Sequence, residues 1–205
     1  MKDLSWKKYI AEAVGTLSLS LAVLATSASE SGFTPFAAAL TLGLFVYTIG
    51  AISGCHINPA VTLGALSINK ISWKDAIGYI VAQLVGAFIA LVLASAFIEN
   101  ISDVLEKGAH TDVSIVGIGF AELVGAFFLA FGVASAVLKK IPDMMNGIVV
   151  GGSLLLGIFV ASSLGAPGIL NPAIAIMNGP LSIVYVVGPI LGAIGGMWAY
   201  KVLAA

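Results

Sequence analysis

The stretch "HINPAVTLG", residues 56–64, lies between two long apolar runs. Asn followed by Pro is turn chemistry that belongs on a surface, so its place here needs an explanation. The same tripeptide returns at 171–173, in "GILNPAIAIM" (168–177). Each Asn-Pro-Ala reads as a helix start, with Asn58 or Asn171 as N-cap and Pro59 or Pro172 at the first helical position, followed by Ala60 or Ala173. The apolar segments that begin there, 58–68 and 171–178, are too short to cross a bilayer, which takes about 20 residues.

The rest of the chain is made for lipid. Of its 205 residues, 60% are hydrophobic and only 9% charged, where a soluble domain carries about 25% charged residues. The mean hydropathy is +1.09. Such a composition defines an all-α integral membrane protein. Six segments are long enough to span, near 8–29, 34–53, 73–98, 114–138, 145–164 and 180–203. They lack the alternation of a membrane barrel. The first continues from Tyr9 to about Ser29 without a convincing Ala-x-Ala cleavage site, so it reads as a span and not as a signal peptide.

All nine cationic residues are Lys, and the chain has no Arg. With six spans, Lys2, Lys7, Lys8, Lys70, Lys74, Lys139, Lys140 and Lys201 fall on one side of the membrane. Only Lys107 lies opposite, in the acidic loop 99–113. The positive-inside rule makes both termini cytoplasmic and that loop external. A net charge of −1 and the absence of a basic patch give no reason to expect nucleic acid as a partner. No metal cluster, nucleophile triad or phosphate loop is legible, so no cofactor and no enzyme activity are expected.

The chain also repeats itself. "EAVGTLSLSLAVL" from Glu12 resembles "ELVGAFFLAFGVA" from Glu122, and "NPAVTLGAL" from Asn58 resembles "NPAIAIMNG" from Asn171. The reading is one domain, 1–205, made of repeat 1 (about 1–105) and repeat 2 (about 106–205). Three spans per half invert the second half. The two short helices then enter from opposite sides and meet at the midplane, where irregular backbone is tolerated only if it is buried or lines a wet cavity. Positive ends of two helix dipoles at that point oppose cations. A carboxylate in mid-membrane, Glu12 or Glu122, is costly and must have partners. Gly78, Gly86, Gly125, Gly192 and Gly196 read as sites of close helix packing.

On these residues the chain resembles the aquaporins, the major intrinsic protein family. "ISGCHINPAVTLG" (52–64) is close to the family's first signature, Glu12 and Glu122 resemble its paired Glu, and "GPILGAIGGMWAY" (188–200) resembles its sixth span. The resemblance implies a pore in each protomer of a homotetramer in the cell membrane, passing water or small neutral solutes. It implies that Gly54, Cys55, His56, Ile57, Ile169 and Leu170 form pore-lining loops, and that Glu12 and Glu122 brace the loops through backbone N–H groups. The family usually continues its second Asn-Pro-Ala with Arg, and here that residue is Ile174. Carrying over the remaining constriction positions without gaps gives an outer filter of Ala38, Phe159, Gly168 and Ile174. The apolar ring leaves three alternatives open: a channel for less polar solutes (ammonia, small polyols, dissolved gases), a proton-coupled transporter using Glu12 or Glu122, and a closed structural protein.

Overall fold

The computed structural model describes residues 5–29, 32–99, 101–107, 113–179 and 182–205, and these are helical, without a strand among them. Lys2 and Asp112, as well as Pro180 and Leu181 at the expected start of the sixth span, lie outside the described residues. Six helices are long and apolar enough to cross a membrane. They are α1 (Ser5–Ala28), α2 (Thr34–Ser53), α4 (Trp73–Phe97), α6 (Ile115–Val137), α7 (Asn146–Ser163) and α9 (Val184–Leu203). The half-helices are α3 (Pro59–Ser67) and α8 (Pro172–Asn178). A further short helix, α5 (Ile101–Lys107), occupies the acidic loop, where no helix was legible in the sequence.

Local chemistry sets the helix ends. Ser72 and Ser114 cap α4 and α6 by accepting from the N–H groups of Asp75 and Gly117. Gly54 closes α2 in the left-handed region, φ 87°. The halves are built alike: α1 packs on α4 and α2, and α6 packs on α9 and α7. They join where α2 packs on α7 and where each half-helix crosses over, α3 onto α9 and α8 onto α4.

Glycine permits these approaches. A Cβ at Gly43 would stand 2.8 Å from the Gly147 carbonyl oxygen, and one at Gly151 would stand 2.6 Å from that of Ala39. In corresponding places of the two halves, Gly86 lies against the Ala13 carbonyl and Gly192 against that of Leu123. Gly86→Val or Gly192→Val therefore forces the helix pair apart. Overpacking of this kind costs about 1–3 kcal/mol or more. The expected result is a lower unfolding temperature in detergent for both variants, checked by fluorescence-monitored melting, with Gly152→Val as the control because a Cβ there meets nothing within 4 Å.

Outward faces carry large side chains such as Leu40, Leu44, Val81, Leu156 and Leu191, which suits a lipid surround. One end of the bundle is rich in lysine. There Lys8 pairs with Asp75 at 2.7 Å, and Lys140 Nζ donates to the Ala204 carbonyl at 2.6 Å. The exposed rings of Trp6, Trp73 and Trp198 lie under Lys7, Lys74 and Lys201 at the same end. Amphipathic aromatic residues at that level mark a membrane–water boundary.

Candidate conduction pathway

The two Asn-Pro-Ala segments meet in the interior. Asn58 Oδ1 accepts from Ala60 N at 2.8 Å, and Asn171 Oδ1 accepts from Ala173 N at 3.1 Å, so each Asn caps its own half-helix. Each amide then reaches across: Asn58 Nδ2 donates to the Leu170 carbonyl at 2.9 Å, and Asn171 Nδ2 to the Ile57 carbonyl at 3.0 Å. An amide nitrogen has two hydrogens. One is committed to the facing loop, and the second remains for the cavity that both Asn side chains border.

The loops before them are strained in the same pattern. Cys55 (φ 52°) and Ile57 (φ 40°) in the first match Gly168 (φ 72°) and Leu170 (φ 53°) in the second. A β-branched residue in this region is a marked outlier, and it persists only when its surroundings fix it. The buried carboxylates do the fixing. Glu12 accepts from His56 N (2.9 Å) and Ser53 Oγ (2.6 Å) on one oxygen, and from Ile57 N (2.6 Å) and Gln83 Nε2 (2.8 Å) on the other. Glu122 accepts from Ile169 N (2.9 Å) and Leu170 N (2.7 Å). Both are 0% exposed, and neither borders either cavity described next.

A cavity of about 310 Å³ runs along the two Asn. It is walled by stripes spaced four residues apart, the period of one helix face: Leu19 and Val23 on α1, Ala38 and Leu42 on α2, Leu129 and Val133 on α6, and Val150, Leu154 and Ile158 on α7. Ile174, 6% exposed, and Gly168 complete it, and Val104 and Leu105 of α5 border its outer part. A second cavity of about 810 Å³ opens at the lysine-rich end, beside Lys70, Lys139 and Asp143.

Most residues expected in the wall are there. Ala38, Cys55, His56, Ile57, Asn58, Gly168, Ile169, Asn171 and Ile174 border the first cavity, and Gly54 the second. Two expectations are corrected. Phe159 is 44% exposed and packs edge-to-face on Phe36, away from the cavity; Ile158 stands in the wall. A helix turns about 100° per residue, so a gap-free count that is wrong by one residue selects a side chain on another face. Leu170 also leaves the wall, its side chain filling the notch made by Gly125 and Gly157. Sequence reading missed the stripe on α7, although its spacing of four could have been counted. It also missed Ser53, Thr62 and Tyr79, whose signal was polar atoms inside apolar helices.

Six spans, two half-helices joined at their N-terminal ends and a cavity along that junction define a membrane channel of the inverted-repeat class. Residues 1–200 match the major intrinsic protein family. The chain belongs to that family, whose members are channels and not enzymes. Among similar proteins, aquaporin NIP1-1 of Zea mays is 30% identical over 96% of this chain and 74% of its own length. Glycerol uptake facilitator protein-like 6 of Lactiplantibacillus plantarum is 34% identical over 97% of this chain and 99% of its own. The fold is that of the aquaglyceroporin of Plasmodium falciparum, with a TM-score of 0.69 at 24% identity, covering 96% of this chain and 94% of that one.

Proposed function

We propose that the chain, acting over 1–205 as one channel domain, passes water and small neutral solutes through an outer filter of Ala38, Ile158, Gly168 and Ile174. The observation that carries this reading is the pair of Asn amides that border one cavity from opposite half-helices. No side chain of that ring donates a hydrogen bond. Stripping water from a strongly polar solute there goes uncompensated, so less polar solutes pass relatively better. Names of the relatives, a glycerol uptake facilitator among them, support the same solute class. The lysine-rich end is cytoplasmic, the membrane is the cell membrane, and the assembly is a homotetramer.

The transporter alternative is disfavoured by the geometry of the carboxylates. Glu12 already accepts four hydrogen bonds, and a substrate in either cavity touches neither Glu. The test is stopped-flow light scattering of proteoliposomes with a series of osmolytes. Flux of water and at least one small neutral solute above protein-free vesicles is the expected result. Rates equal to protein-free vesicles for every solute sink the channel reading.

A further inference from the structure

The two cavities share four wall residues, Cys55, His56, Val133 and Val150. A path from one end of the molecule to the other passes through that ring. We infer that this waist is a second selecting point of the path, in series with the outer ring, and that it favours neutral solutes with one hydrogen-bonding face and one apolar face. The inference rests on the channel reading and deepens it.

The internal repeat supplies the comparison. His56 and Ile57 give their N–H groups to Glu12 as Ile169 and Leu170 give theirs to Glu122. Cys55 therefore corresponds to Gly168 and His56 to Ile169. Counting from the same two Glu, Val133 corresponds to Val23. Those counterparts border the first cavity alone. Where the outer end has bare backbone at 168, the lysine-rich end projects a thiol at 55. Where the outer end has an aliphatic residue at 169, the lysine-rich end has an imidazole. Of two equivalent places in the path, the waist is the one that carries polar side-chain atoms.

Its side chains are also held. The Thr62 hydroxyl gives its one proton to the Asn58 carbonyl at 3.0 Å. It must then accept from His56 Nδ1, 3.2 Å away, which leaves Nε2 of the neutral ring as an acceptor. The ring packs edge-to-face on Tyr79 at 5.2 Å, and the Tyr79 hydroxyl donates to the Ser53 carbonyl at 2.6 Å. The other members of the ring include two valines, Val133 of α6 and Val150 of α7, whose β-branched side chains have few rotamers. A solute at the waist thus meets an imidazole acceptor and a stiff apolar surface. A second polar group facing that surface is stripped of water without a partner.

Urea and acetamide separate these cases, because they have nearly the same shape and acetamide replaces one amino group by methyl. Both are measured by stopped-flow in proteoliposomes of wild type, Val133→Thr, Val150→Thr and Val81→Thr, with protein-free rates subtracted. Wild type should pass acetamide faster than urea. Either waist substitution keeps the shape and adds a partner, and should raise the urea-to-acetamide ratio about fivefold, the factor that one modest hydrogen bond gives. Val81→Thr, the same exchange on the outward face and away from both cavities, should leave the ratio within about twofold. An unchanged ratio in both waist variants, or an equal change in Val81→Thr, overturns the inference while leaving the channel intact. Wild-type rates equal to protein-free vesicles for water, urea and acetamide overturn both. If a Thr variant aggregates, Val150→Ala replaces it: removing bulk should speed both solutes severalfold, and unchanged rates count against the waist.

Discussion

Glu12→Gln is expected to leave little folded protein, and Glu122→Gln a folded but weakened one. The difference follows from the number of donors each carboxylate satisfies. Glu12 takes two N–H groups of the strained loop, the Ser53 hydroxyl and the Gln83 amide, all in a 0% exposed position. A glutamine there keeps one acceptor oxygen and turns an NH2 towards groups that are themselves donors. About two donors are stranded, at about 1–3 kcal/mol each. That sum is a large part of the about 5–15 kcal/mol that holds a domain together. The cost falls on the residue least able to bear it, because Ile57 at φ 40° gives its N–H to this carboxylate while its carbonyl is held by Asn171. Glu122 answers to the Ile169 and Leu170 N–H groups, and one remaining oxygen still serves one of them. Yield of monodisperse protein and melting in detergent measure the order. Glu122→Gln proving the more damaging would show that the hydrogen-bond network does not set these stabilities. Folded Glu122→Gln and wild type should both show solute flux that ignores an imposed pH gradient. Uphill flux under such a gradient would show a coupled transporter.

The architecture was legible because membrane length and repeat are coarse signals. Twenty apolar residues announce a span whatever their order, and two Asn-Pro-Ala segments in inverted halves announce half-helices. The filter was harder, since it depends on which way a helix faces. Gly168 and Ile174 are anchored close to the second Asn-Pro-Ala, whereas Ala38 lies on the 20-residue α2 with few anchors near it; all three border the cavity. Phe159 follows from a gap-free carry-over onto α7, where one residue changes the face, and it is Ile158 that borders the cavity. Helix α5 was hidden by length: seven residues between Ile101 and Lys107 carry too little periodicity to be read. The brace around Glu12 was half visible. A buried carboxylate demands donors, but nothing in a linear sequence says that Gln83 and Ser53 are the ones that converge on it.

Ile174→Arg is the substitution expected to change selectivity most. Ile174 lies in the first turns of α8, buried at 6% exposure and facing the same cavity as Ala38, Ile158 and Gly168. None of those neighbours is larger than isoleucine, so an arginine side chain has space to enter, with less crowding than if Phe159 stood opposite. Its guanidinium brings a fixed positive charge and five donors in a rigid fork. Water can use those donors at every step of its passage. Glycerol must also fit past the added bulk, and its carbon backbone loses the apolar surface that Ile174 offered. Charge acts in a third way, adding to the positive ends of the two half-helix dipoles and raising the barrier to cations. The expected outcome is water permeability that is kept within a few-fold, while glycerol and ammonia fall relative to water by about tenfold, equivalent to about 1.4 kcal/mol in barrier. Complete closure to all three solutes would mean that the fork seals the ring with its own hydrogen bonds, and it would still place residue 174 on the path. The measurement compares water, glycerol and ammonia in the same liposomes for wild type and variant. Equal ratios in the two proteins would show that the side chain at 174 does not border the route solutes take, and the outer ring would have to be sought elsewhere.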